Sequence, residues 1–494
     1  MWRNPDRQPV ADHGLNDGSR SMWPTVFKIV GGSLLTFALV WALVLGWWQS
    51  NDYEPSKLDL GLYLAALPLA LVGGYLLLRG FIDHLKAPAV APSSAAPALR
   101  DDDPLAGSSA QTAAAERSFR IALIDGFALT AAGASADDTL AAIDEGKRPD
   151  PSTRLTDDSG FPVFAAEVQG LDVDAMIERV SDQGGPMREC STCEQVMRSL
   201  SLLDRVVELA GDRLRSILEQ TGESASLRVI WVVPAAWQGL DMQAMKGWLQ
   251  ASFWPDLDNH RLEISLLPVA GEVDALRGLD DIILRAGRDP SLGELTLLLG
   301  STSAVDEQTV GQWAAANKLF STQHQQRRIP GEGGVALLLA SQATAERLEL
   351  AESVVVGRVS AAPRDKPVDA GGRVSGKLIE QLVTGLLDVT GVEHASIKTA
   401  ILDTDHRAGN LTEALEGLGQ HFGHLDPIKD CLAVAASTGD LSPIGGLVAL
   451  ACAKARVLAT EAPALCISNQ HDIERAVLLA MPMPAQSDIK PSST

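Results

Sequence analysis

The sequence predicts an α/β protein that is attached to a membrane by two N-terminal helices. Three observations lead to this fold class. Two long apolar runs, at 29–48 and 58–78, lie near the N-terminus. Residues 83–117 are rich in Ala, Pro and Ser and have the composition of a flexible linker. From residue 119, short apolar runs alternate with amphipathic segments, which is typical of a doubly wound domain with buried sheets.

The composition limits the classes of partner. Of 494 residues, 46% are hydrophobic and 21% are charged, so several cores can be buried and wholesale disorder is excluded. The formal net charge of −22 argues against nucleic acid, because that binding depends on Lys and Arg neutralising phosphates. An acidic chain also gains nothing from an anionic membrane surface. Membrane attachment must therefore come from the apolar runs.

The N-terminal segments predict a cytoplasmic tail at 1–28 and a transmembrane hairpin at 29–82. The first run has no charged residue and ends in Trp47 and Trp48, an interfacial anchor, while the second has one acid, Asp59, and a central Pro68. A buried helical hairpin in a soluble domain is the alternative. Positive charges outnumber negative ones on the outer flanks of both spans, so both termini and the large C-terminal region are expected in the cytoplasm of a bacterial inner membrane.

The region from 119 onward supplies the sheet and helices. Strands are predicted at 120–124, 227–233, 262–269, 295–299, 335–339, 354–359, 397–402, 432–435, 465–468 and 477–481. Helices are predicted at 193–220, 274–286, 377–387, 411–422 and 444–459. Between them, Pro330-Gly331-Glu332-Gly333-Gly334 indicates a Gly-rich loop entering a buried strand. It lacks the Lys-Ser/Thr of a phosphate-binding loop.

This Gly-rich segment and its neighbours resemble the β-ketoacyl synthases, which have the duplicated thiolase fold. The resembling segments are 330–338, 269–287 with 295–300, 397–410, and 435–446. The resemblance implies a thiolase-like duplicated α/β domain with an N-terminal half at 118–328, a C-terminal half at 329–484 and a tail at 485–494.

The resemblance also implies that most of the residues needed for catalysis are absent from the site. The position of the nucleophilic cysteine falls at Gly271 or Glu272, that of the lysine at Ala435 and that of the second histidine at Asp440. His406 alone remains, followed by Arg407 where the family has glycine. We therefore expect a pseudoenzyme with no catalytic residue, no metal and no cofactor.

Other candidate residues have structural interpretations that are favoured. His406 lies between Asp405 and Arg407, which suits a solvated or ion-paired histidine. His421 and His424 have a metal-ligand spacing but no third ligand. Cys190 and Cys193 form a C-x-x-C in which a structural role is favoured over a redox or metal role. Five cysteines in all, an odd number, fit a reducing compartment.

At the level of the whole chain, the membrane hairpin, linker and segment 52–62 resemble a proteobacterial family of type VI lipase adapter proteins. That resemblance implies a non-enzymatic adaptor that binds a lipase toxin effector in the cytoplasm and brings it to the VgrG spike of a type VI secretion system. It identifies no binding residues. Two alternatives stay open. One is an acyltransferase or hydrolase acting on lipid-linked substrates through His406 with Ser301, Thr302 or Ser303. The other is a structural subunit of a membrane complex.

Overall fold

The structure, a computed structural model, describes residues 112–484 except 222–225, 258–259, 351 and 368–373, together with six positions between 40 and 50. Those six positions are helical. Within this described part, none of the helices combines the length and the apolar character that crossing a bilayer requires. The predicted tail at 1–28, most of the hairpin at 29–82, most of the linker at 83–117 and the tail at 485–494 lie outside the described residues.

The described strands include long segments that are buried along their whole length, as expected for strands covered on both faces. All nine residues of β6 and of β7, and all five of β12, are buried. In chain order the strands are β1 (Arg120–Thr130), β2 (Pro151–Thr156), β3 (Pro162–Phe164), β4 (Leu227–Pro234), β5 (Leu262–Val269), β6 (Leu295–Ser303), β7 (Glu332–Ala340), β8 (Val354–Gly357), β9 (Ser360–Pro363), β10 (Thr399–Leu402), β11 (Cys431–Ala433), β12 (Ala464–Ser468) and β13 (Glu474–Pro482).

The main sheet consists of two halves that have the same strand arrangement. Its order is β11-β10-β12-β13-β8-β1-β7-β6-β4-β5, with β9 attached to β13. The first half therefore reads β5-β4-β6-β7-β1 and the second reads β11-β10-β12-β13-β8. In each half the first three strands of that order are parallel and the fourth is antiparallel to both of its neighbours. The halves join where Arg120–Leu123 of β1 pair antiparallel with Val354–Gly357 of β8.

The helices repeat the same order. They are α1 (Ala136–Asp144), α2 (Val173–Gln183), α3 (Met187–Cys190), α4 (Glu194–Thr221), α5 (Met242–Phe253), α6 (Glu272–Arg288), α7 (Glu307–Ala315), α8 (Gln342–Arg347), α9 (Lys377–Thr390), α10 (Ala408–Leu418), α11 (Ala435–Thr438) and α12 (Gly445–Thr460). By position in the chain, α4, α5 and α6 of the first half correspond to α9, α10 and α12 of the second. Side-chain N-caps begin α1, α2, α5, α7 and α8, each satisfying a free backbone N–H.

Helices α6 and α12 pack on each other and share one hydrophobic core with strands of both halves. Their approach is close: a Cβ at Gly446 of α12 would lie 3.0 Å from Cδ1 of Leu276. A separate core lies between α4, α5 and the first half of the sheet, and another between α9, α10 and the second half. The two central helices therefore bring their N-termini, where the candidate site lies, between the halves.

Two features of the Gly-rich segment differ from the sequence prediction. The strand begins at Glu332, so Gly333 and Gly334 lie inside β7 rather than in the loop before it. They are needed there because an added Cβ would meet the carbonyl oxygens of Leu129 and Leu202 at 2.7 and 3.0 Å. The pairing also groups β7 with the first half of the sheet, whereas the predicted limits at 328 and 329 group it with the second.

Candidate functional site

The site begins where β5 ends and α6 starts. Gly271 is the N-cap of α6, with extended backbone angles (φ −167°, ψ −177°). A side chain at this position would displace the His471 ring, because an added Cβ would lie 2.7 Å from Cδ2 of His471. Glu272, the first residue of α6, is 2% exposed. Its carboxyl group therefore lies at a helix N-terminus, where the backbone dipoles favour negative charge, but out of contact with water.

Two more carboxyl groups lie close to Glu272. Asp403 follows β10 and Asp440 follows α11, and both are buried. A Cβ at Gly445 would lie 3.7 Å from Cγ of Glu272 and 3.8 Å from Cβ of Asp403, so the first residue of α12 contacts both acids. The site thus combines an acid from the first half of the fold with two from the second.

Burial is the largest cause of the pKa shifts of Glu272 and Asp403. It raises the pKa of Glu272 to about 8, and the negative charges of Asp403 and Asp440 act in the same direction. Burial also raises the pKa of Asp403, to about 6, although the hydrogen bonds that its carboxylate accepts oppose the rise. Those bonds come from the Ser468 hydroxyl and from the backbone N–H groups of Asn469 (2.8 Å) and Gln470 (3.1 Å). At neutral pH, Glu272 is mainly protonated.

Arg328 is a cation at the edge of this cluster, and its positive charge opposes the rise in the pKa of Glu272. Its guanidinium donates to Oδ2 of Asp440 and to Oδ1 of Asp472, at 2.9 Å each. The other oxygen of Asp440 accepts from the backbone N–H of Ser442 at 2.9 Å. The negative charge of Asp440 raises the already high pKa of Arg328 further. Arg328 therefore neutralises Asp440 and ties the 440 loop to the 472 turn.

Arg475 holds the 471–474 turn in place. The Arg475 guanidinium donates to the backbone carbonyls of His471 (2.5 Å) and Glu474 (2.6 Å), and it pairs with Glu413 at 2.9 Å in a fully buried ion pair. Nδ1 of His471 accepts from the backbone N–H groups of Ile473 and Glu474. The proton of the neutral ring is therefore on Nε2, and the ring is held over Gly271.

His406, the one histidine of the site that the resemblance retains, is half-buried, and its ring makes a hydrogen bond and an aromatic contact. Its Nε2–H donates to the Gln325 carbonyl at 3.1 Å, and its ring meets the ring of Phe320 edge-on with centroids 5.1 Å apart. The neighbours Asp405 and Arg407 pair with each other at 2.8 Å instead of with His406. Asp405 also accepts from the Gln470 side chain. His406 is thus part of the packing of the 319–328 loop.

The other predicted positions are placed as follows. Ala435 is the first residue of α11 and is buried. Among the hydroxyl candidates, Thr302 donates to the Ser442 carbonyl and Ser303 donates to Glu332, both at 2.8 Å. Ser301 is fully buried on β6, and its Oγ has no hydrogen-bond partner. Within the described residues, none of the three hydroxyls bonds to His406.

Metal ligation is not indicated in the part of the chain that the structure describes, where no group of three or more His, Cys, Asp or Glu side chains is arranged to hold an ion. Nε2 of His424 donates to the Ile397 carbonyl at 2.8 Å, and the His421 ring packs near that of His394. All five cysteines are free thiols. Burial raises the pKa of the Cys190 thiol and raises that of Cys452 to about 12, which opposes thiolate formation.

Several residues of the site were missed from the sequence. Arg328, His471 and Asp472 carry no motif. The one available signal for the last two was a polar run directly after the apolar strand at 465–468, a position where site residues collect in α/β folds. Glu332, inside the Gly-rich segment, was not assigned a role. It is fully buried and accepts from Arg198 at 2.6 and 2.8 Å, from Ser303 and from the Val168 backbone N–H.

Comparison with known proteins identifies the fold. No protein-family model and no curated protein sequence matches the chain. Among solved structures, it is similar to the ketosynthase from module 1 of the bacillaene synthase from Bacillus amyloliquefaciens FZB42, with a TM-score of 0.50 and 13% identity over 76% of this chain and 75% of that one. It is also similar to the ketosynthase from module 6 of the bacillaene synthase from Bacillus subtilis 168, with a TM-score of 0.51 and 13% identity over 74% and 72%.

A third similar chain comes from a complex of a type II polyketide synthase acyl-carrier protein with its ketosynthase, with a TM-score of 0.51 and 11% identity over 74% of this chain and 99% of that one. The predicted thiolase-like fold is therefore confirmed: the described domain has the mixed α/β ketosynthase fold. At this level of identity the likeness establishes the fold and leaves the activity to be argued from the residues.

Proposed function

We propose that this chain is a non-enzymatic binding protein built on a ketosynthase fold. The observation that carries the proposal is Glu272, a buried carboxyl group at the helix N-terminus to which the family resemblance assigns the nucleophile, where burial raises its pKa. Thioester condensation needs a thiolate there, activated by the helix and by neighbouring imidazoles. A protonated carboxyl group enclosed by His471 and two further acids cannot take that role.

The electrostatics of the site also oppose condensing chemistry. That reaction develops negative charge on a thioester oxygen and on a carbanion, and both need hydrogen-bond donors or cations nearby. Here the buried groups around Glu272 are Asp403 and Asp440. Arg328 is already paired with Asp440 and Asp472. The carboxyl groups of Asp403 and Asp440 therefore oppose the negative charge that this reaction develops.

Among binding proteins, we propose the adaptor role that the sequence resemblance implies. The chain would bind a lipase effector in the cytoplasm and deliver it to the VgrG spike of a type VI secretion system while anchored in the inner membrane by its two N-terminal segments. The proposal is supported by the two apolar runs, the linker composition of 83–117 and the resemblance of 52–62 to the lipase adapter family. An adaptor needs docking surfaces and no reaction centre, which agrees with the interpretation of the site.

The test is affinity capture with the tagged full-length chain from cells that express the secretion system. We expect an effector lipase and a VgrG protein among the captured proteins. The Glu272→Gln variant should capture both equally well, because Gln keeps the shape of the neutral carboxyl group. Capture of membrane-complex subunits in place of both proteins would support the structural-subunit alternative and overturn the adaptor proposal.

The lipid-acting enzyme alternative is not favoured by the contacts of its candidate residues. Thr302 and Ser303 already donate their hydroxyl hydrogens, and Ser301 is buried away from substrate. The experiment for this alternative is His406→Ala in a secretion assay. We expect only a modest loss, through the packing of Phe320, and a null phenotype with normal protein levels would reopen the enzymatic alternative.

A further inference from the structure

A large groove lined by described residues lies in the first half of the fold. It runs between the C-terminal part of α4 and the chain that follows α5, with a cavity volume of about 970 Å³. Its floor is apolar and includes Val207, Leu214 and Leu218 of α4 together with Phe253 and Leu257. Grooves of this kind between helices are common binding places for an amphipathic helix.

The second half of the fold closes the corresponding place. There α9 and α10, the counterparts of α4 and α5, pack directly on each other. Their contact is close enough that a Cβ at Gly417 would lie 2.6 Å from Cβ of Ile379. In the first half, α4 and the end of α5 leave the groove between them instead. The two halves of the duplicated fold therefore differ here: the groove is open in the first half and the corresponding place is closed in the second.

The apolar floor is held rigid by stacked aromatic rings. Phe253 meets Trp248 edge-on with ring centroids 5.9 Å apart, and it contacts Trp254 at 5.8 Å. Trp248 in turn packs against Trp231 and lies under the guanidinium of Arg179. A preorganised aromatic surface of this kind loses little conformational entropy when a partner covers it. Aromatic anchors are also the residue types that dominate binding energy at interfaces.

The rim of the groove is acidic. Of its seven charged side chains, five are carboxylates, namely Asp204, Glu208, Asp212, Glu219 and Asp256. The first three follow one another at intervals of four residues along α4, so they form a line on one face of the helix. Asp204 is paired with Arg179 at 2.7 Å and Asp212 with Arg215 at 3.0 Å, while the Glu208 pair with Arg205 is exposed and 3.7 Å long. Within the described residues, Glu219 and Asp256 make no ion pair.

We propose that this groove binds a basic amphipathic helix of a partner protein. Its apolar residues at spacings of three and four would cover the floor, and its Lys and Arg residues would meet the carboxylates of the rim. An anionic membrane surface is disfavoured as the occupant, because the same carboxylates repel it. The inference rests on the proposed function only in taking the chain to be a protein-binding module.

Gly211 is a position at which a substitution can alter the groove without changing the hydrophobic core. It lies on α4 among the groove-lining residues, and a Cβ added to it would have no atom within 4 Å. A larger side chain can therefore be introduced at this groove-lining position without a clash at its Cβ. Gly385 of α9 is the matched control, since it is also helical and exposed with no atom within 4 Å of an added Cβ, but it lies in the other half.

The experiment is a fluorescence anisotropy titration of the full-length chain in detergent, with a labelled synthetic helix of Leu and Lys about five turns long. A second peptide has Glu in place of every Lys. We expect saturable binding of the Lys peptide only, weakened at least about tenfold by Gly211→Trp and less than about twofold by Gly385→Trp. Reversing the rim in Glu219→Lys/Asp256→Lys should weaken the Lys peptide and strengthen the Glu peptide, which gives a second test if Gly211→Trp folds poorly.

Equal binding by the wild-type chain and Gly211→Trp, an equal loss in both glycine variants, or no binding by the wild-type chain would each overturn the proposal. Capture of the effector lipase with the same variants separates this result from the proposed function. A wild-type chain and a Gly211→Trp variant that both capture the lipase and bind the Lys peptide equally would retain the adaptor and reject the groove. Peptide binding at the groove with no lipase captured would reject the adaptor and retain the groove.

Discussion

At the scale of single residues, the protonation of Glu272 links the candidate site to stability. Its pKa is raised from about 4.5 to about 8 by burial and by the neighbouring acids. Between these values the folded state holds a proton that the unfolded state has lost, so the free energy of unfolding falls as pH rises. The contribution is fully present below pH 4.5 and is lost as pH approaches 8.

Glu272→Gln should remove this dependence. Gln is neutral at every pH, so we expect the variant to be more stable than the wild-type chain at pH 8, by about 4 kcal/mol, and within about 1 kcal/mol of it at pH 5. Thermal unfolding at pH 5, 6.5 and 8 measures the difference. Because other groups titrate equally in both chains, the difference between the two pH profiles is the relevant quantity. Parallel profiles would mean that Glu272 is ionised in the folded protein.

The buried pair of Arg198 and Glu332 supports a second prediction. Glu332 is fully buried and Arg198 nearly so, with nitrogen–oxygen distances of 2.6 and 2.8 Å. Arg198→Met leaves the carboxylate buried without its cation, and we expect a loss of about 3–5 kcal/mol. Arg198→Met/Glu332→Gln should lose clearly less, since a neutral amide can keep the bonds from Ser303 and Val168. Chemical denaturation of both variants measures the difference, and equal losses would contradict it.

Single-residue chemistry was the least predictable from the sequence. The resemblance located Gly271, Glu272 and Asp440, which the structure brings to one site. It gave no warning of Arg328, which lies in the loop between α7 and β7. Its partners Asp440 and Asp472 are 112 and 144 positions further along the chain. Such partners are set by the folded path of loops, and loop residues carry no periodic signal.

At the scale of elements, the Gly-rich segment is a crossing point of backbones. An added Cβ on Gly331 would lie 2.9 Å from the carbonyl carbon of Gly439 and closer still to the Thr438 carbonyl oxygen. Gly439 itself has a φ of +68°, in the left-handed region that favours glycine. The start of β7 and the loop before Asp440 therefore touch through two glycines, which positions Asp440 beside Arg328.

Gly331→Ala should separate these two segments. The added Cβ would meet backbone atoms of residues 438–440, which cannot move aside as a flexible side chain can. We therefore expect the free energy of unfolding to fall by about 1–3 kcal/mol. Gly311→Ala in α7 is the control, because no atom lies within 4 Å of an added Cβ there and alanine favours the helix. Thermal unfolding of the two variants gives the comparison. A neutral Gly331→Ala would show that the crossing point can relax.

Elements were more predictable than contacts. Apolar runs placed the long buried strands within a few residues, and β5 was predicted with the limits that it has. The shorter or more polar elements were missed, among them β2 with β3 and the helices α2 and α5. Those elements have few buried residues, so their apolar pattern is weak. The predicted helix at 411–422 combines α10 with a separate 3₁₀ turn at Gly419–Phe422, because Gly419 has a positive φ.

At the scale of the whole molecule, the two halves share one core and one site. Helices α6 and α12 pack together, and Glu272 of one half lies beside Asp403 of the other. We expect residues 105–350, expressed alone, to aggregate, and co-expression with residues 351–494 to recover a soluble non-covalent pair. Size-exclusion chromatography of the co-expressed pieces measures this. A monomeric, cooperatively folded first piece would show that its core is complete without the second.

The position of β13 has a consequence for biosynthesis. This strand, Glu474–Pro482, is the last of the described strands in chain order, yet it lies inside the sheet between β12 and β8, and β8 is the strand that pairs with β1. The second half can therefore close on the first only after residue 482 has been synthesised. Until then, a nascent chain with such distant pairings exposes apolar strands. The ribosome-bound chain is thus expected to depend on chaperones until β13 emerges.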